Sequence, residues 1–167
     1  MSVLGFPNPV NEKAARTVAG VVALASLATI VLGTAIDGGW LWLSAPIAYG
    51  FVARVLTGPT LSPLGRLAMS VVAPRLGEPK LVPGPPKRFA QGMGATMTVA
   101  AVVALALGAP AVTVVLLAAV VVAATLESVF AFCLGCMVFG WLMRAGVIPE
   151  ETCEACADIW SRPRATA

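Results

Sequence analysis

The residues best suited to chemistry in this chain are four cysteines. They form two pairs, Cys133-Leu134-Gly135-Cys136 and Cys153-Glu154-Ala155-Cys156, with sixteen residues between them. Two C-x2-C pairs at that separation have the spacing of a four-thiolate zinc site. Positions i and i+3 of a helix lie about 60° apart around the axis, so each pair can present both sulfurs on one face. The chain contains no histidine. That excludes a Ser/His/Asp triad, a Cys/His nucleophile pair, a His-ligated haem and a Cys2His2 zinc site.

Four readings compete for the sulfurs. The leading one is zinc held by Cys133, Cys136, Cys153 and Cys156, in a non-enzymatic protein whose metal fixes the tail as a docking surface for a soluble partner. Its rival is thiol–disulfide or sulfur transfer, with Cys133 and Cys136 as the attacking dithiol. An iron–sulfur centre needs the same four ligands, but nothing else in the sequence points to electron transfer. In the bland reading, Cys133 and Cys136 are small core residues. Pro149-Glu150-Glu151-Thr152 has the form of a helix start, and Glu154 lies between the last two sulfurs. Acidic neighbours oppose thiolate formation unless a dication offsets them, which favours metal; the helix N-terminus pulls the other way.

The elements that must position these groups are apolar helices. Of 167 residues, 59% are apolar and 11% charged, with a mean hydropathy of +0.91. Soluble domains carry roughly 25% charged residues, so this composition belongs in a bilayer. The expected fold is an all-α membrane protein. Residues 1–148 form a four-helix transmembrane domain with spans near 17–36, 40–56, 89–107 and 111–143. An interfacial amphipathic helix is expected over 63–73, where apolar residues recur at helical spacing after Ser62-Pro63. The proline-rich stretch 74–88 reads as an extended basic linker. Residues 149–167 are expected to form a tail with a short C-terminal helix bearing the second C-x2-C pair. Pro46 is a candidate kink in the second span, and Arg54 is expected to snorkel from its last turn to the headgroups.

With four spans and both termini on one side, all eleven Lys and Arg residues fall on that side, and Asp37 is the only charge on the other. The positive-inside rule therefore puts both termini, the linker and the tail in the cytoplasm of a multi-pass cytoplasmic-membrane protein. The net charge of +3 calls for anionic lipid rather than nucleic acid.

The fourth apolar run, 111–143, has 33 residues, about 50 Å as a helix against a core of about 30 Å. Some ten residues must bend, protrude or re-enter, and Gly135, Gly140 and Gly146 offer the cheapest breaks. In the preferred register the helix returns to the interface near residue 131, which puts Cys133 and Cys136 beside the tail. In the other register the first pair lies within the bilayer, where a dithiol would exchange electrons with a lipid-soluble partner. Glu127 is the only charge in the run. A charge within a span marks a proton or cation site by default and gives small-solute transport its sole support. Near the interface it would instead reach the headgroups or pair with Arg88. On a continuous helix it would lie about 120° from Cys133.

Two stretches carry a family resemblance: Arg88-Phe89-Ala90-Gln91-Gly92-Met93-Gly94, and Phe132-Cys133-Leu134-Gly135-Cys136 with Glu127 before it. They resemble the bacterial membrane family catalogued as domain of unknown function 4395, over roughly residues 10–145. The resemblance implies a four-helix membrane protein. Family members occur alongside thioredoxin-like and sulfurtransferase proteins, which it therefore implies as partners. Members usually carry a Tyr shortly after the second cysteine, where this chain has Phe139.

Overall fold

The computed structural model describes residues 5–153. Its order is β1 (Val10–Asn11), α1 (Glu12–Ala35), α2 (Ser44–Thr57), α3 (Pro63–Leu67), β2 (Leu81–Val82), α4 (Gly84–Ala106), α5 (Pro110–Phe130) and α6 (Leu134–Arg144). Counting the 3-10 helix Gly38–Leu43 with α2, four helices are long and apolar enough to cross a membrane. α1 packs on α5, α2 on α4, and α4 on α5, so the chain runs up and down as a bundle. The inner seam is built from small and β-branched residues, among them Val18, Val22, Val120 and Ala124 around Phe51. The outward face is the opposite of a soluble surface. Leu24 is 70% exposed and Val115 67% exposed, as expected of side chains that meet lipid.

Several helix limits differ from expectation. α1 begins five residues before the uncharged run at Thr17, because each charge in its first turns has a partner. Asn11 caps it through a 3.0 Å bond accepted from the Lys13 amide. Glu12 pairs with Lys80 at 2.7 Å, and Lys13 Nζ donates to the Leu76 carbonyl at 2.6 Å. α4 likewise starts at Gly84, inside the stretch expected to be extended. Pro85 and Pro86 sit in its first turn, where the missing amide hydrogens would have no acceptor. Pro46 lies in the first turn of α2 and produces no mid-helix kink.

The expected surface helix is present but irregular. Helical backbone runs from Pro63 to Leu76, passing from α through a π-turn at Ala68–Val72 to a 3-10 turn at Ala73–Leu76. Ser62 Oγ starts it by accepting from the Gly65 amide at 3.2 Å. The linker is then tied to the N-terminal segment by antiparallel pairing of Val10 with Val82 and Asn11 with Leu81. Two residues per strand leave no periodic signal to read in advance.

Fully buried Thr113 joins the two hairpin helices at the far end of the bundle by donating from Oγ1 to the Ala101 carbonyl at 2.9 Å. Interhelical side-chain bonds within membranes average about 0.6 kcal/mol. Thr113→Val should lower stability by about that amount in detergent unfolding titrations.

Candidate functional site

The site lies at the end of the bundle where α1 and α4 begin and α2 and α5 finish. Lys13, Arg16, Arg54, Lys87 and Arg88 lie on the helix ends that meet there, while Asp37 caps the turn at the opposite end. α5 stops at Phe130 because Ala131 adopts a left-handed conformation, φ 56°. The helix thus breaks at residues 131–133 rather than at Gly135, Gly140 or Gly146. The reason is a distant partner. Arg16 of α1 donates from Nε and Nη2 to the Ser128 carbonyl at 3.1 and 2.9 Å, and from Nη2 to Val129 at 3.2 Å. These bonds satisfy carbonyls that a helix end leaves open. An alanine in the left-handed region costs about 1 kcal/mol. Ala131→Gly should therefore raise stability by about that amount, read as a shift in the detergent-unfolding midpoint.

Beyond the break, Cys133 is the N-cap of α6, and its Sγ accepts from the Cys136 amide at 3.2 Å. The two sulfurs are bonded to each other, with Cα atoms 5.2 Å apart. Both cysteines are half-buried. α6 folds back on α4, and Gly135 permits the approach: a Cβ there would stand 2.5 Å from Ala90 Cα. Phe139 has an edge-to-face contact with Phe89, centroids 5.7 Å apart, which holds α6 in place.

Of the other residues singled out from the sequence, Glu127 forms an ion pair with Lys87, not Arg88, at 2.7 Å. Residues 87 and 88 lie about 100° apart on α4, so only one of them can face α5. Arg88 turns outward and donates Nε to the Val55 carbonyl at 3.1 Å. The angular separation of Glu127 from Cys133 no longer applies, because the helix is interrupted between them. Cys153 ends a 3-10 turn, Glu150–Cys153. Cys156 lies outside the described residues, as does the rest of the expected C-terminal helix. Among the described residues, no three Cys, Asp or Glu side chains gather into a metal-binding group.

Arg54 is the functional candidate that the sequence reading misplaced. It does not reach for headgroups; it is only 6% exposed. Its Nε donates to Gln91 Oε1 at 2.8 Å and its Nη1 to Ser62 Oγ at 3.3 Å, and its guanidinium stacks over Phe51, 4.6 Å from the ring centroid. The available signal was an arginine interrupting an apolar run, which marks function as readily as snorkelling.

Two cavities meet at the disulfide. The inner one, about 380 Å³, lies between α1, α2, α4 and α5 and is lined mainly by apolar side chains, with Arg54, Gln91, Glu127 and Cys133 as its chemically distinct groups. The outer one, about 460 Å³, is lined by both Cys133 and Cys136, with Lys87, Glu12, Trp141 and Arg144 nearby. Cys133 therefore belongs to the wall between them. The Lys87–Glu127 pair spans the same wall, with Lys87 on the outer cavity and Glu127 on the inner.

No curated protein and no solved structure matches the chain. The family model described as domain of unknown function (DUF4395) matches residues 10–144. The matched stretch runs from β1 to the last residue of α6, so it holds the whole bundle, Arg54, Glu127 and the Cys133–Cys136 pair, and ends before Cys153. On that match the chain belongs to the DUF4395 family.

Proposed function

We propose that the Cys133–Cys136 pair is a redox dithiol of the cytoplasmic membrane, exchanging with a soluble thiol protein on the cytoplasmic side. The observation that carries this reading is the pair itself: two bonded sulfurs at the start of α6, both lining the outer cavity. The basic residues at that end of the bundle supply the orientation through the positive-inside rule. Disulfides facing the cytosol of mesophiles are transient and catalytic rather than structural, which suits a pair that cycles. In the reduced state the Cys136 amide and the helix N-terminus stabilise a thiolate on Cys133, making it the attacking sulfur. Exchange is reversible. In one direction Cys136 resolves the mixed disulfide by attacking Cys133 Sγ, forming the intramolecular bond and releasing the partner's thiol; in the other, two thiols of the partner attack the bonded pair in turn, leave as the partner's disulfide and return Cys133 and Cys136 to the dithiol. A thioredoxin-like or sulfurtransferase protein would present the sulfur that enters the outer cavity.

Zinc requires both sulfurs as thiolates, so a four-cysteine metal site and the bonded pair are alternative states of Cys133 and Cys136. The match to the family covers the first pair alone, which favours a dithiol complete without Cys153 and Cys156. The deciding measurement is metal and thiol analysis of detergent-purified protein held in graded ratios of reduced to oxidised dithiothreitol. The dithiol reading expects metal-free protein whose Cys133 and Cys136 convert together between alkylatable and bonded forms, with or without the second pair. About one zinc per chain, with thiols unmasked only by a chelator, would overturn it in favour of the metal site.

A further inference from the structure

The inner cavity has features the outer reaction does not use. It lies between the four long helices, whose outward faces are apolar, with Cys133, Leu134 and Gly135 at one end. At about 380 Å³ it falls in the range of about 300 to 1,000 Å³ typical of small-molecule pockets. Its apolar walls suit a hydrophobic ring and chain. Arg54 is the cation on this cavity; its hydrogen-bond partners Gln91 and Ser62 are neutral, and the nearby Glu127 carboxylate, which attracts it, is already paired with Lys87. Its Nη2 is buried and has no hydrogen-bond acceptor among the described residues. A buried donor without an acceptor is costly unless a ligand supplies one. The same cavity reaches Cys133, the sulfur assigned the attacking role.

We propose that the inner cavity binds a lipid-soluble quinone, which takes up the electrons that the Cys133–Cys136 dithiol collects; this rests on the dithiol reading above. The ligand class follows from the chemistry. Closing the disulfide forms one S–S bond and releases two electrons and two protons, one proton lost when Cys133 ionises to the thiolate and the other from the Cys136 thiol. A quinone ring takes up both electrons and both protons and leaves as the hydroquinone, so no other reactant is needed. Its carbonyl oxygen is the acceptor that Arg54 Nη2 lacks, and the guanidinium stabilises the negative charge that builds on that oxygen during reduction. Cys133, in the wall between the cavities, couples an aqueous thiol on one side to a membrane carrier on the other.

The test uses full-length protein in detergent or proteoliposomes, with Cys153 and Cys156 replaced by Ser so that only one pair is counted. Protein reduced with dithiothreitol and desalted anaerobically is mixed with decylubiquinone or with 2,3-dimethyl-1,4-naphthoquinone. Both rings are fully substituted, which blocks addition of thiol to ring carbon. One ring reduced per disulfide formed is expected with at least one of the two probes, and none when Cys133 or Cys136 is Ser. R54Q should raise the quinone concentration for half-maximal rate at least tenfold. A123F, which fills the cavity without touching a charge, should do the same and guards against a folding failure of the arginine variant. A wild-type pair that exchanges with dithiothreitol but reduces neither quinone would overturn the proposal while leaving the dithiol reading intact. Quinone reduction unaffected in both variants would overturn the assigned cavity. A pair that never cycles would overturn both readings together.

Discussion

Cys136→Ser should trap Cys133 in a mixed disulfide, whereas Cys133→Ser should react slowly and trap little. The geometry separates the two sulfurs. Cys133 Sγ receives the Cys136 amide hydrogen at 3.2 Å and caps α6, so the partial positive charge of the helix start falls on it. An unassisted cysteine is only a few per cent thiolate at pH 7, so the loss of Cys133 should slow attack roughly tenfold or more. With the second pair replaced by Ser, the reduced wild-type pair should release two thiopyridones from 2,2'-dithiodipyridine. The first comes from attack by Cys133 and the second from resolution by Cys136. Cys136→Ser should release one and retain the other half on Cys133, visible by intact-mass measurement. Equal rates for the two single variants would show that the helix start does not distinguish the sulfurs.

The second large effect concerns Glu127. Removing one member of a buried ion pair costs about 3 to 5 kcal/mol because the other charge is left uncompensated. Lys87 and Glu127 side chains are 9% and 13% exposed and meet at 2.7 Å. Glu127→Ala should therefore lose stability of that order, because Lys87 has no other carboxylate within ion-pair reach among the described residues and Arg54 loses the charge that attracts it. The double variant Lys87→Met, Glu127→Leu replaces both charges with apolar groups of similar size. It should return to within about 1 kcal/mol of wild type. Detergent unfolding of the three proteins measures both values. A single variant as stable as wild type would mean that water or headgroups reach Lys87 freely.

Much of the fold is legible in residue order. Composition alone calls for a bundle of apolar helices, and apolar runs, the second interrupted by Arg54 and the fourth by Glu127, locate all four. The turns at Asp37 and Gly108 fall where polar and glycine residues interrupt those runs. Spacing identifies Cys133 and Cys136 as a pair that can meet on one helical turn, as they do. These are local properties: hydropathy, capping and i, i+3 geometry depend on residues within a turn or two of one another. Helix limits were less legible, because Glu12, Lys13 and the Pro85-Pro86 step extend helices beyond the apolar runs once partners or an open first turn accommodate them.

Tertiary structure decided the rest, through contacts across large sequence separations. The break before Cys133 depends on Arg16, 112 residues away from Ser128, so a scan for glycine finds the wrong positions. Whether Lys87 or Arg88 meets Glu127 depends on the rotation of α4, and therefore on where that helix begins. Arg54 turns inward because Gln91 and Ser62 supply acceptors from other elements. The sequence by itself determined that two thiols stand together at one end of an apolar bundle. Packing decided that one of them lies between two cavities, because a cavity is defined by helices meeting in space and has no counterpart in the order of residues along the chain.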